Sequence, residues 1–186
     1  MSLITGGLGG LGLRAAALVA GMGASGLLLG SRSARVARDG QTLEKWLHSL
    51  LVSATTATHI IASDVSDCSE VYAVLQPLLR RTGQPLLTGV LHSAGCAGRP
   101  HLLNQQTSDD FWSAFASKGQ AAGFLHAGTA SISLSSCVFF SSVAALYDCR
   151  GTLRATTYHA ARLPTDQSLH FQVWETTPQP THPWIA

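Results

Sequence analysis

The chain has 186 residues, nearly half of them hydrophobic (46%) and few charged (12%), with a formal net charge of +2. That size and composition describe one domain with a sizeable core. The twelve Lys and Arg are scattered and their densest run, "RSARVAR", is too short to grip a phosphate backbone, so no nucleic-acid partner is expected.

The apolar stretch Leu13–Leu29 is cut by Gly21, Gly23 and Gly26 and carries Arg14, so no membrane span is expected there. The opening residues lack a basic region followed by an unbroken apolar run and a cleavage site, which reads against a secretory signal. Cys68, Cys96, Cys137 and Cys149 lie far apart with no C-x-x-C, and the eight His show no ligand spacing. Free thiols, no metal and a reducing, cytoplasmic compartment are the expectation.

In chain order, "SLIT" reads as the end of a buried strand, Gly6–Gly12 as a turn and Leu13–Ala20 as a helix. "LLLGSR" is a second strand. Leu43, Trp46, Leu47, Leu50 and Leu51 then fall on one helical face. "THIIAS", ending at Asp64, is the third strand, and Val71, Val74, Leu75, Leu78 and Leu79 repeat the helical spacing. "LLTGVLHSAG" is a fourth strand with its loop. Asp109–His126 is a helix with Ser108 or Asp109 as N-cap. "SCVFFSS" is a fifth strand and "SLHFQVW" a candidate sixth. Strands that are apolar throughout are buried on both faces, which predicts an α/β fold: a Rossmann-type, doubly wound parallel sheet. Residues 1–174 form the domain, and the proline-bearing tail 175–186 is irregular.

The turn Thr5-Gly6-Gly7-Leu8-Gly9-Gly10-Leu11-Gly12 follows a strand and opens a helix. In that context one glycine allows the reversal, another lets the backbone approach a pyrophosphate, and the last lets helix and strand pack closely. The amides and dipole at the helix start favour phosphate. After strand two, Ser31-Arg32-Ser33 offers an Arg and two hydroxyls where an acid would favour NAD, a set that suits a 2′-phosphate. Asp64-Val65 after strand three either meets the adenine or caps the next helix. His92-Ser93-Ala94-Gly95 follows strand four, where a cofactor ribose would lie.

Together "LITGGLGGLGLRAA", "LLLGSRS", "ASDVSD", "GVLHSAG", "FASKGQAAGFLH" and "FFSSVAAL" resemble the short-chain dehydrogenase/reductase superfamily. More narrowly they look like the ketoreductase domain of polyketide synthases and related fatty-acid synthases, over roughly residues 3–150. The resemblance implies NADPH as cofactor and a β-ketoacyl thioester on an acyl carrier protein as substrate. It also implies other domains of a multidomain synthase as neighbours, the chain being a piece of such a synthase or a trimmed product.

Ketone reduction needs a hydride on carbon and a proton on oxygen. By resemblance Lys118 lowers the pKa of a catalytic tyrosine and holds the nicotinamide ribose. Ser142, with Ser141 as fallback, holds the carbonyl. The family's Tyr-x-x-x-Asn would place its tyrosine at Ala155, and the chain instead has Tyr158 followed by Arg162. At i and i+4 those two share a helical face, so Tyr158 is the candidate proton donor; Tyr147 follows the serine too closely. Pro164 shortens the helix that would carry Tyr158, and the family's seventh strand and lid have no counterpart, so the sheet is expected to be truncated at its C-terminal side. Two readings follow: an NADPH-dependent ketoreductase using Lys118, Ser142 and Tyr158, or a degenerate, non-catalytic NADP-binding module. A free-standing alcohol dehydrogenase is a weaker third, since Tyr-x-x-x-Lys is missing.

Overall fold

The computed structural model describes residues 1–37, 41–79, 86–95, 105 and 107–141, and the backbone of the strand 170–173. Six parallel strands form one sheet in the order β3-β2-β1-β4-β5-β6. They are β1 (Ser2–Thr5), β2 (Gly26–Ser31), β3 (Ala57–Ala62), β4 (Gly89–His92), β5 (Ser136–Ser141) and β6 (His170–Val173). β1 is central, pairing Ser2–Thr5 with Leu27–Gly30 on one side and Gly89–His92 on the other. The candidate sixth strand is realised beside β5, from Val138↔His170 to Ser141↔Val173.

The helices are α1 (Gly10–Gly21), α2 (Leu43–Leu51), α3 (Cys68–Leu79), α4 (Ser108–Phe115) and α5 (Ala121–Thr129). A π-helical turn over Ala116–Gln120 joins the last two. None of the described helices is long and apolar enough to cross a membrane.

Strand periodicity sorts the core into two layers. Leu3 and Val90 pack with Val71, Val74, Leu75 and Leu78 of α3 and Leu125 of α5. Their neighbours Ile4 and Leu91 pack the other way, with Leu13 and Ala16 of α1 and Leu43 and Leu50 of α2. The sheet is therefore covered on both faces, as its apolar strands require. Each fully buried Leu or Ile contributes roughly 1.5–3 kcal/mol.

Several expectations need correction. The first helix begins at Gly10, so Gly10-Leu11-Gly12 is its first turn rather than the end of the loop. The third strand stops at Ala62, before Asp64, and its residues are exposed or half-buried because it lies at the sheet edge. On α2 only Leu43 and Leu50 are buried, while Trp46 and Leu51 are largely exposed. The N-cap of α4 is Thr107, not Ser108 or Asp109. Its hydroxyl accepts from the Asp110 amide while the Asp110 carboxylate accepts from the Thr107 amide, a reciprocal capping box.

Candidate functional site

The strand order reverses between β1 and β4, and the C-terminal ends of these strands open a crevice. Its floor is the glycine turn. Gly6 has φ +68, and a Cβ there would lie 2.6 Å from the Ala94 amide nitrogen. Only glycine meets both demands, a left-handed backbone and backbone-on-backbone contact. The two loops are tied, as the Ser93 amide and hydroxyl both donate to the Thr5 carbonyl at 3.0 and 2.8 Å. Gly7 donates to the Gly30 carbonyl at 2.9 Å. A Cβ on Gly12 would be driven into the Gly6 carbonyl, so Gly12 is what lets α1 seat against the turn.

The start of α1 is electrostatically bare. Its N-cap, Gly9, supplies no side-chain hydrogen bond, and no acid occupies the first turn. α4 shows the opposite treatment, with its capping box and Asp109 and Asp110 in the first turn. The positive dipole end of α1, beside the Gly9 that lines the crevice, thus has no anionic side chain of its own to satisfy it.

The walls come from four further segments. Ser31 ends β2, and Arg32, Ser33 and Arg35 follow it. This loop turns through Ala34 (φ +50) and is drawn over the glycine turn when the Ala37 amide donates to the Leu8 carbonyl at 3.0 Å. Asp64, Val65 and Ser66 follow β3, and Ser93, Ala94 and Gly95 follow β4. The last wall is a helical face of Trp112, Ser113, Ala116, Ser117 and Gln120. The enclosed space is about 590 Å³, within the roughly 300–1,000 Å³ of ordinary ligand sites. Asp64 Oδ1 accepts from the Ser66 amide (3.0 Å) and hydroxyl (2.6 Å), so this carboxylate braces its own turn. The first turn of α3 is held instead by Asp67, which accepts from the Ser69 and Glu70 amides. Those bonds lower the Asp67 pKa, the Ser69 hydroxyl contributing most.

Beneath the crevice lies His92, 3% exposed. Its Nδ1 is 2.7 Å from Thr5 Oγ1, and its ring meets Phe139 edge-on at 5.8 Å. Nε2 is fully buried. Burial, and secondarily the nearby Lys118 ammonium, lower the His92 pKa from 6.5 to about 4, against a smaller opposing effect of the Lys118 and Ser117 carbonyls. The ring is therefore neutral at neutral pH. Lys118 itself rises from the π-helical turn and lies over Gly95, where a Cβ would overlap its ammonium.

The structure thus brings Gly6, Leu8, Gly9, Ser31, Arg32, Ser33, Asp64, Val65, Ser93, Ala94 and Gly95 around one cleft. Thr5 and His92 lie buried below it, Gly10, Leu11 and Gly12 form the first turn of α1, and Lys118 stands against the β4 loop. Ser141 is the last residue of β5. Ser142, Tyr147, Ala155, Tyr158, Arg162 and Pro164 lie outside the described residues, as does the tail 175–186. Sequence reasoning missed Arg35 and Trp112 as cleft residues. The i, i+1, i+4, i+5, i+8 spacing of Trp112, Ser113, Ala116, Ser117 and Gln120 was the available signal for the latter.

A parallel sheet in this order, with a glycine turn at its switch point, is the nucleotide-binding fold of the short-chain dehydrogenase/reductase superfamily. Within it the assignment narrows. The model of the family described as "KR domain" matches residues 1–176, and the chain belongs to that ketoreductase family. It is 37% identical over 146 residues to polyketide synthase ThaG of Burkholderia thailandensis, a match covering 77% of this chain and 2% of that protein. It is 34% identical over 124 residues to lovastatin diketide synthase mokB of Monascus pilosus, covering 67% of this chain and 4% of that protein. The chain therefore spans only a small part of these relatives. Among solved structures, an A1-type ketoreductase superposes with a TM-score of 0.72 at 33% identity, over 86% of this chain and 32% of that one. An A-type ketoreductase from a modular polyketide synthase gives the same TM-score at 31% identity, with the same coverage. Levodione reductase, at 23% identity and a TM-score of 0.71, shares the fold.

Proposed function

We propose that this chain performs NADPH-dependent reduction of a β-ketoacyl thioester, carried on an acyl carrier protein of a multidomain synthase, to the β-hydroxyacyl form. The observation that carries the reading is the convergence on one cleft of the uncapped α1 start, the Arg32 and Arg35 guanidinium groups and the Ser93–Gly95 loop under Lys118. The residues present fit the cofactor. The bare helix start suits a pyrophosphate. Two guanidinium groups and the Ser31 hydroxyl, which is buried without a partner, suit a phosphate on the 2′ position.

When bound, the reduced nicotinamide supplies a hydride to the β-carbon. The remaining roles belong to the chain. Ser142 holds the ketone oxygen by a hydrogen bond. The Tyr158 phenol delivers its proton to that oxygen, so a C–H and an O–H bond form as the C=O π bond breaks. Lys118, as a nearby cation, favours the phenolate left behind.

The first test is titration with NADPH and NADH, followed by turnover on a decalone. Arg32→Ala is expected to weaken NADPH about tenfold or more and leave NADH unchanged, the loss of one charge-assisted contact. Tyr158→Phe is expected to abolish turnover with NADPH binding intact, and turnover that survives this change refutes the proton-donor assignment. The second reading, a module that binds NADPH without catalysis, is favoured by Ala155 standing where the family tyrosine belongs. Binding without any turnover in the wild type supports it over the first.

A further inference from the structure

Trp112 is 57% exposed, a large apolar surface to leave in water. Among the described residues it is the one aromatic side chain that lines the cleft. The other exposed aromatics, Trp46 on α2 and Tyr72 on α3, lie away from it. Its position is fixed on two sides. The Thr107–Asp110 capping box sets where α4 begins, five residues before the indole. The Phe115 ring packs beside it, with centroids 5.8 Å apart and planes tilted by 39°.

Where Trp112 sits within the cleft decides what it can touch. It lies six residues N-terminal to Lys118, about 9 Å further along the helix, so it is set apart from the end of the cleft that Lys118 and Gly95 define. The cleft's other walls include the Asp64–Ser66 segment and the loop carrying Arg32 and Arg35, which follow β3 and β2, on the opposite side of β1 from β4. Asp64 Oδ1 already serves its own turn, and Val65 is buried. The cleft therefore combines an aromatic face with two cationic side chains. A flat π-system is recognised by such a surface through stacking.

We infer that Trp112 is the stacking platform for the adenine ring, with Arg32 and Arg35 holding the phosphate-bearing ribose opposite. This rests on the reading of the cleft as a dinucleotide site. With the pyrophosphate at the α1 start and the 2′-phosphate at Arg32, the base attached to that same ribose has to lie between the β3 loop and the first turns of α4. The indole fills that position. Stacking ignores the 2′ substituent, so Trp112 contributes to affinity for both nicotinamide dinucleotides, while Arg32 separates them.

The test compares wild type, Trp112→Ala, Trp112→Phe and Arg32→Ala in titrations with ADP, 2′,5′-ADP and reduced nicotinamide mononucleotide. Trp112→Ala is expected to raise the Kd of ADP and of 2′,5′-ADP by the same factor, about tenfold. Trp112→Phe keeps most of the affinity, and the mononucleotide, which has no adenine, binds Trp112→Ala as it binds wild type. Arg32→Ala weakens 2′,5′-ADP alone. If wild type binds 2′,5′-ADP and Trp112→Ala binds it equally well, the platform is refuted while the dinucleotide site stands. Equal weakening of the mononucleotide in Trp112→Ala also refutes it, because the change then acts through the fold. A wild-type protein that binds none of the adenine ligands overturns both the platform and the function it rests on.

Discussion

The buried imidazole of His92 makes the stability of this domain depend on pH in a defined direction. In the unfolded chain the ring titrates at about 6.5, whereas in the fold burial holds its pKa at about 4. Between those values the unfolded state binds a proton that the folded state refuses. The stabilisation is complete above 6.5 and is lost as pH falls toward 4, with a slope of about 1.4 kcal/mol per pH unit. The whole interval amounts to about 3 kcal/mol, a large share of a typical domain's stability. The groups around the ring give no relief. Thr5 and Phe139 are neutral, the Lys118 ammonium repels a second cation, and the Ser117 and Lys118 carbonyls compensate only partly. Urea unfolding followed by circular dichroism across this range should show the decline beginning near 6.5. In His92→Asn the slope should be shallower by one proton over the same interval, at some cost in stability near neutrality. Asp67, whose lowered pKa acts only below about 3.8, leaves this window alone. An unchanged slope in His92→Asn, or a wild type with flat stability down to about pH 4, would falsify the assignment of a neutral, proton-excluding ring.

Two neighbouring glycines should respond oppositely to the same change. Gly12→Ala places a methyl group against the Gly6 carbonyl, so thermal unfolding should show a loss of roughly 3 kcal/mol, with weaker nucleotide binding as the turn shifts. A Cβ on Gly10 meets no atom within 4 Å, and Gly10→Ala should raise stability by about 0.5–1 kcal/mol; similar effects from both would contradict the packing described. At the start of α4, Thr107→Ala should cost about 1 kcal/mol and Thr107→Ser almost nothing. Equal losses in those two variants would show that the hydroxyl is not the cap.

The parts of the fold that could be read from the chain are those written in contiguous residues. The glycine turn sits between a strand and a helix that both announce themselves, and the sixth strand carried its own apolar pattern. What escaped depends on neighbours distant in sequence. Trp46 and Leu51 match the helical period of α2, yet that helix needs only a narrow stripe to cover the flank of the sheet, so both remain exposed. Thr107, Ser108 and Asp109 can each cap a helix. The choice is settled by the extended backbone at Thr107 and the answering carboxylate of Asp110. Arg35 was read as part of a weak basic run, and it reaches the cleft because the Ala37–Leu8 bond folds its loop over the turn. The π-helical turn under Lys118 has no pattern of its own in the sequence. Of the proposed catalytic set, Lys118 lies among the described residues, while Ser142 and Tyr158 stand on resemblance alone.

The place of β1 in the middle of the sheet has a consequence for synthesis on the ribosome. Residues 2–5 emerge well before one of their two partners, the segment 89–92. Until that later strand arrives, the growing chain can assemble only one flank, and the open side of β1 offers bare amides and carbonyls to any passing strand. Delay in translating the stretch before Gly89 would lengthen that exposure, so the yield of soluble protein should be sensitive to elongation rate in that interval.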